Sequence, residues 1–441
     1  MKIDNIREYV VIVNNGSGCI VQPEDDAYSY VLTAKHNLED SKTKVFALDR
    51  LYRFVLENGN WRKIAVEKFS NNKTTYYFPH PDEDKDTAII KIKKVSGLDK
   101  IIRLDDLEEE RTGYSLCGYP DIRKTDSSTY RIDMNVTIFG TSEHEYREGH
   151  IPNALYKELV GQSGGPILKI KDNYLLLAGI QNKMISEEEE MGRVAFSTLA
   201  SFDEIIAAYP KRLSALHPPY YQSFTFLKEQ IMELDGSLDN IEYTQCFLRN
   251  ITNTIAENPL TPKIIRNHFK ERLLVKGEDN SSFYQQGMWA AWLEFLIVMK
   301  IIGQDPKTEE DLDELFNRYR VIYSSSKEDW SKIMMDIVCS DFVGLKENAC
   351  LIVAHEKKPA KTIIKKGTII PNLARSVQRS QMNIDEGISH PFKEFTFIHI
   401  HAFQRDCILE NEEEYSQFDS TYKDSEIYEK LKHDYENILN N

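Results

Sequence analysis

The chain has no basic excess. Its 441 residues carry 55 Lys and Arg against 70 Asp and Glu, a formal net charge of −15. General binding to nucleic acid or to an anionic membrane needs a basic face, so neither is expected as the main activity; only a local basic patch stays open. Cysteine is sparse. The six (Cys19, Cys117, Cys246, Cys339, Cys350 and Cys407) are scattered without a CxxC pair, which reads neither as a disulfide framework nor as a spaced zinc site. Long apolar runs are missing as well. The longest, Met288 to Ile302, is broken by Glu294 and Lys300 and is too short to span a bilayer. The opening "MKIDNIREYVVIV" lacks the basic start and apolar core of a signal peptide. No repeat at solenoid period is present. A cytoplasmic protein is expected.

What is present divides by hydrophobic period. At this length two or three domains are expected. Up to about residue 200 the chain runs through short β-branched or aromatic stretches such as "EYVVIV", "GCIVQ", "YSYVLTA", "TAIIKI", "RIDMNVTIFG", "PILKI" and "YLLLAGI". Turn-formers such as "NNGSG" and "HPDEDKD" separate them, a pattern that predicts a barrel or sandwich rather than a parallel α/β sheet. The stretch "STLASFDEIIAAYPKRL" then reads as a helix with Ser201 as its N-cap, and "HPPYY" at 217–221 as linker. Beyond it, "SFTFLKEQIMEL", "TPKIIRNHFKERLL", "SFYQQGMWAAWLEFLIVMKII" and "TEEDLDELFNRYRVIY" have apolar residues three and four apart, as helices do. Strands return from about residue 349 with "ACLIVAHE", "KTIIKKGTII" and "EFTFIHIHAF", before a charged helix from about Asp424. The expected architecture is multidomain. An all-β domain spans 1–212, a linker 213–222, a mostly helical module 223–340 and a smaller α+β module 341–441.

One stretch carries chemistry on its face. "ELVGQSGGPILKI" crowds glycines and a proline around Ser163 at the entry to a strand. Acyl transfer needs an exposed nucleophile beside backbone N–H groups aimed at a developing oxyanion. Glycine permits the backbone angles that turn such groups outward. The N–H groups of Gly161 and Ser163 are the candidate oxyanion hole. A serine hydroxyl is a poor nucleophile until a histidine takes its proton and a carboxylate orients that histidine. Upstream, "VLTAKHN" places His36 just after a strand, and "DKDTAIIKI" opens a strand with Asp86; Asp82 and Asp84 lie in the same acidic loop.

The order His, Asp, Ser and the flanks T-A-x-H and D-x-A-I-I-x-I resemble the trypsin-like (chymotrypsin-fold) serine proteases. So do "GSGCIV" ahead of the histidine, "CGYP" at 117–120, "GIQNKM" at 179–184 and "RVAFSTLASFDEII". The resemblance covers roughly residues 5–210. It implies a double β-barrel in which Ser163 attacks the scissile carbonyl, His36 acts as general base and then acid, and Asp86 holds the imidazole. No metal or cofactor is implied. Protein or peptide is the implied substrate.

Gln162 departs from the secreted members, which carry an aspartate there to pair with a newly cleaved N-terminal amine. Cleavage-driven activation is therefore not expected, nor is a propeptide before the first strand. The family's disulfides are missing too. Asn182 stands where relatives commonly have a serine supporting the catalytic aspartate. At the floor of the first specificity pocket the resemblance places Lys157, with Gln181 and Arg193 on its walls. The two basic residues suggest preference for an acidic side chain at the cleaved bond. "SEEEEM" at 186–191 reads as a hairpin tip.

The second half says less. Met288, Trp289, Trp292, Leu293, Leu296 and Met299 form apolar helix faces suited to packing. His399 and His401 alternate along an expected strand, with His355 and Cys407 elsewhere, but without recognisable zinc spacing. "KKPAKTIIKKG" at 357–367 is a local basic cluster, read as solvated loop and strand residues. A protease head joined to such a tail resembles, in outline, effector proteases of bacterial anti-phage ABC-type three-component (Lamassu-like) systems. That implies a regulatory partner or self-association through residues 223–441. The contrasting possibility is a catalytically silent protease fold serving as a binding scaffold.

Overall fold

The computed structural model describes the chain except residues 1–2, 40–42, 44, 70–75, 99–100, 106, 108–110, 122–129, 142–145, 153, 155, 172–173, 185–191, 229–230, 232–233, 235–240, 356, 358, 366, 368–376 and 441. It divides into two compact units, Met1–Pro219 and Tyr220–Asn441.

In the first unit, strands build two sheets that are antiparallel throughout except for the parallel pairing of Ile101–Arg103 with Leu175–Leu177. One sheet contains β1 (Val10–Val13), β2 (Gly16–Val21), β3 (Tyr28–Thr33), β4 (Leu51–Glu57), β5 (Asn60–Ala65), β6 (Tyr77–Pro79) and β7 (Ala88–Lys93), in the order β5-β4-β1-β2-β3-β7-β6. The strands β4 and β5, whose burial does not alternate along the strand, escaped the sequence reading. The other sheet contains β8 (Ile101–Arg103), β9 (Tyr114–Gly118), β10 (Arg131–Thr141), β11 (Arg147–His150), β12 (Pro166–Lys171), β13 (Tyr174–Met184) and β14 (Arg193–Ser197). Its order is β12-β9-β10-β11-β14-β13-β8, and a further β12–β13 pairing closes six of these strands into a barrel. Closure removes the exposed edges that an open sheet leaves. Val136, Ile138, Ile167, Ala178, Val194 and Phe196 fill the barrel interior.

The helix after β14 runs Leu199–Ala208, with Thr198 at the capping position. Ser201, read from the sequence as the cap, lies inside the helix. Its hydroxyl shares a 2.8 Å hydrogen bond with Thr87 Oγ1, a partner far away in sequence.

The second unit is built around the helix Gln286–Ile301, buried on nearly every side through Met288, Trp289, Trp292, Leu293, Leu296 and Met299. Beside it lie the helices Glu242–Ala256, Pro262–Phe269, Glu309–Phe316 and Asp424–Asn440. Thr261 caps the helix that begins at Pro262, its hydroxyl accepting from Ile264 N–H, as suits proline in a first turn. A four-stranded sheet contains β15 (Tyr319–Ser324), β16 (Cys350–His355), β17 (Ile363–Ile364) and β18 (Thr396–His399) in the order β15-β16-β18-β17. The pairs β15–β16 and β16–β18 are parallel. Parallel strands are covered on both faces and so read as continuous apolar runs.

Three sequence expectations differ here. "NRYRVIY" continues a helical period on paper, yet the helix stops at Phe316 and β15 begins at Tyr319. The aromatic and β-branched run has high strand preference, and pairing with β16 decides it. That pairing unites residues on either side of 340 in one sheet, and one apolar core runs from Tyr221 to Leu439. Of the helix expected over 223–234, the described residues hold only the 3-10 turn Phe224–Phe226. The strand expected through His401 ends at His399, after which the chain turns into the short helix Ala402–Arg405.

No described helix is long and apolar enough to cross a membrane. All six cysteines are free thiols. Among the described residues, no group of three or more His, Cys, Asp or Glu is placed to hold a metal ion.

Candidate active site

Strand register alone brings the first two candidate residues together. β3 and β7 are antiparallel with Thr33 opposite Ala88, so the chain leaving β3 meets the chain entering β7. His36 sits in the 3-10 turn Lys35–Asn37 just past β3, and Asp86 lies two residues before β7. The Asp86 carboxylate takes two hydrogen bonds from one residue. Oδ1 accepts from the His36 backbone N–H at 2.9 Å, and Oδ2 meets Nδ1 of the ring at 2.7 Å. Two-point attachment fixes both the ring's orientation and its tautomer. With Nδ1 donating, Nε2 is left as the basic nitrogen. Among the described residues Nε2 carries no hydrogen bond.

Asp82 and Asp84 do not meet the imidazole. Asp82 accepts from Lys35 Nζ through its backbone carbonyl at 3.3 Å, and the Asp84 carbonyl accepts from Tyr146 Oη at 2.7 Å. Tyr146 also takes the Asp86 N–H, at 3.4 Å. It thereby holds the entry to β7 from a position 60 residues away in the chain.

Ser163 occupies the turn before β12. Its carbonyl accepts from Ser17 N–H at 2.7 Å and from Asn37 Nδ2 at 2.8 Å. Asn37 directly follows His36, so one side chain ties the histidine turn to the serine turn. Its Nδ2 also reaches Thr33 Oγ1 at 3.1 Å. Gly164, at φ +87°, leaves no space for a side chain, since a Cβ there would lie 2.0 Å from Ser17 O. The glycine is thus needed for the seam between the two sheets to close over the serine turn. Gly161 also has a positive φ, +89°, open to glycine at little steric cost. Among the described residues, neither the Gly161 nor the Ser163 N–H donates to a backbone carbonyl.

The Ser163 hydroxyl donates to the backbone carbonyl of Asn182. Among the described residues it has no hydrogen bond to His36. To react through His36, it would have to exchange that acceptor for Nε2. The side chain of Asn182 is buried. It donates from Nδ2 to Asp86 O at 3.0 Å and to Ser197 Oγ at 2.8 Å, so it supports the backbone of Asp86 rather than its carboxylate.

Gln181 lines the serine turn through its backbone, donating to Gly165 O at 2.9 Å and accepting from Gly164 N at 2.7 Å. Its side-chain Oε1 is buried without a hydrogen-bond partner. Arg193 forms an ion pair with Glu148 of the neighbouring strand, so its charge is already opposed. Lys157 lies in the short helix Tyr156–Leu159; its side chain, like the stretch 186–191, falls outside the described residues. The expectation of an acidic substrate side chain rests on the two basic residues together, and the pairing of Arg193 with Glu148 weakens it. Sequence gave no sign of Glu148, which is 45 residues from Arg193.

Gln162, the one departure within the motif, is fully buried. Its Nε2 donates to Asp133 Oδ2 at 3.0 Å. Asp133 is buried and held in turn by Arg131, whose Nε lies 2.7 Å and Nη2 2.6 Å from Oδ1.

In the second unit His399 is buried on β18. Burial, together with His355 and His401, pushes its pKa down to about 3 from an ordinary 6.5. His355 and His399 each present an Nε2 that is buried without a partner.

Comparison with known proteins gives two findings. Residues 196–409 match the family model for C-terminal domain 4 of the ABC-three component (ABC-3C) systems. Among solved structures, the chain is similar to a thermostable serine protease, AL20, from an extremophilic microorganism. The identity is 14%, covering 47% of this chain and 99% of that one, with a TM-score of 0.30. No curated protein matches.

Proposed function

We propose that the chain is an intracellular serine endopeptidase whose second unit docks it onto other components of a bacterial anti-phage system. The observation that carries the peptidase reading is the two-point grip of Asp86 on His36, beside a serine turn that Asn37 ties to the same histidine turn. In this reading the first unit is a trypsin-like double barrel, with the site between its two sheets. The six free thiols suit a reducing compartment. The match over residues 196–409 supports a chain that works as one component among several.

In this reading the steps are those of acyl transfer. A substrate carbonyl enters beside Ser163 and His36 Nε2 takes the hydroxyl proton as Oγ attacks. The imidazolium is then stabilised by Asp86, whose carboxylate stays ionised. The Gly161 and Ser163 N–H groups receive the oxyanion, a contribution of about 10²- to 10³-fold in typical acyl transfer. His36 returns the proton to the leaving amine, and water repeats the sequence on the acyl-enzyme. The substrate side chain at the cleaved bond is left open, since Arg193 is opposed by Glu148.

The hydrogen bond from Ser163 to Asn182 is the observation that favours a second reading, a catalytically silent scaffold. A peptide library incubated with the full chain, alone and with partner components, separates the two. The peptidase reading expects cleavage that disappears in Ser163→Ala. The absence of cleavage in every state would favour the scaffold.

A further inference from the structure

We infer that Asp133 and Arg131 are positioning residues that set the oxyanion loop through Gln162, so that the loop is assembled without any proteolytic switch. This rests on the peptidase reading and adds to it a statement about control. Gln162 lies between Gly161 and Ser163, the two residues whose N–H groups would receive the oxyanion. Whatever fixes its side chain therefore fixes the peptide groups on both sides of it.

The side chain is held in a closed ring of contacts. Gln162 Nε2 donates to Asp133 Oδ2 at 3.0 Å and, more weakly, to Glu158 O at 3.4 Å. Asp133 Oδ1 is gripped by Arg131 Nε at 2.7 Å and Nη2 at 2.6 Å, and Arg131 Nη1 reaches Glu158 Oε2 at 3.4 Å. Glu158 belongs to the turn of helix that leads into the loop, and the next residue, Leu159, accepts the Gln162 N–H through its carbonyl at 3.0 Å. The ring thus ties the loop to β10, which carries both Arg131 and Asp133. On its other side Gln162 packs so closely on β9 that a Cβ at Gly118 would come within 3.1 Å of Gln162 Cβ.

The polarity of the ring explains the residue. Asp133 is a buried acceptor already neutralised by Arg131, and it demands a donor at position 162. An amide supplies one, and its hydrogen bond to a carboxylate is charge-assisted. A carboxylate at 162 would face a second buried carboxylate, an arrangement that is strongly disfavoured unless one takes up a proton. The identities of residues 162 and 133 are therefore coupled. The donor comes from the folded chain itself, so no newly cut amine is required.

The test is a charge exchange in the full-length protein, read as the rate of Ser163 labelling by a fluorophosphonate, with and without partner components. Thermal unfolding is followed in parallel. Gln162→Glu is expected to slow labelling about 10²-fold, the scale of losing an oxyanion donor. Adding Asp133→Asn, which turns the donor round, is expected to restore the rate to within about tenfold of wild type, a coupling that independent sites do not show. Gln162→Met lacks the donor but brings no repulsion; it covers the case in which Gln162→Glu fails to fold, and is expected to label about tenfold more slowly, as loss of one hydrogen bond would give. Recovery in the double variant supports the inference. Wild-type rates in both single variants would overturn it, as would a folded double variant no faster than Gln162→Glu. A folded wild-type protein that is never labelled would instead remove the peptidase reading, and this inference with it.

Discussion

The two units place their buried polar groups in different ways. In the first, Ser17, Thr33, Asn37, Gln162, Asn182 and Ser197 are buried polar residues that converge by directional hydrogen bonds on the turns carrying His36, Asp86 and Ser163. In the second, the core is aromatic and aliphatic, with Trp292 and Phe316 stacked against Phe269. Its buried histidines, His355 and His399, have no acceptor for Nε2. Buried polar groups cost stability unless they are paired. In the first unit the paired ones converge on the three turns, although Gln162 and Gln181 each keep a buried Oε1 without a partner; the second is organised by packing. The proposal thus assigns chemistry to one half and control or assembly to the other.

The sharpest way to break that division is at Asp86. Asp86→Asn would leave the fold intact but favour the wrong tautomer of His36, and is expected to slow peptide turnover about 10⁴-fold. A loss below about tenfold, measured on a folded variant, would mean that the two-point grip on His36 has no catalytic purpose. Next in size is Trp292→Ala in the second unit. Truncating this buried ring is expected to cost about 3–5 kcal/mol of stability in chemical denaturation. It should leave Ser163 labelling within a few-fold of wild type under conditions where both units stay folded. A proportionate loss of labelling would show that the second unit shapes the site directly.

The smallest effect concerns His399. Its folded pKa of about 3 lies below the unfolded 6.5, so the unfolded chain binds the proton more readily between those values. Stability from this residue is complete above about pH 6.5 and is lost as pH falls toward 3, at up to about 1.4 kcal/mol per pH unit. Denaturant titrations of the full chain and of His399→Asn should therefore differ in slope over that window. Parallel slopes would show that His399 is not held neutral.

How much of this was readable in sequence depended on the distance between partners. His36, Asp86 and Ser163 stand out because each sits beside a strand end with a short local signature. The strand pairing that joins the first two follows from an antiparallel neighbour. Asn37, Tyr146, Asp133 and Glu148 left no such trace. Each acts on a residue at least 29 positions away, and its residue type is common in loops and strands. Gln162 was visible as an oddity but not its partner, because nothing local links a β10 aspartate to that turn. In the second unit three strands of the sheet were legible, but β15 and the parallel pairing were not. β15 directly follows a helix, and "YRVIY" satisfies a helical period until pairing with β16 overrides it. A buried parallel strand has no alternation to betray it.

The central claim is that Ser163 is a nucleophile activated by His36 and Asp86. The most direct measurement is intact-mass and peptide-mapping analysis of the full chain after exposure to a fluorophosphonate, with partner components present and absent. The account predicts a single adduct on Ser163 that is lost in Ser163→Ala and greatly reduced in His36→Ala. A folded protein in which Ser163 stays unmodified in every state would contradict it.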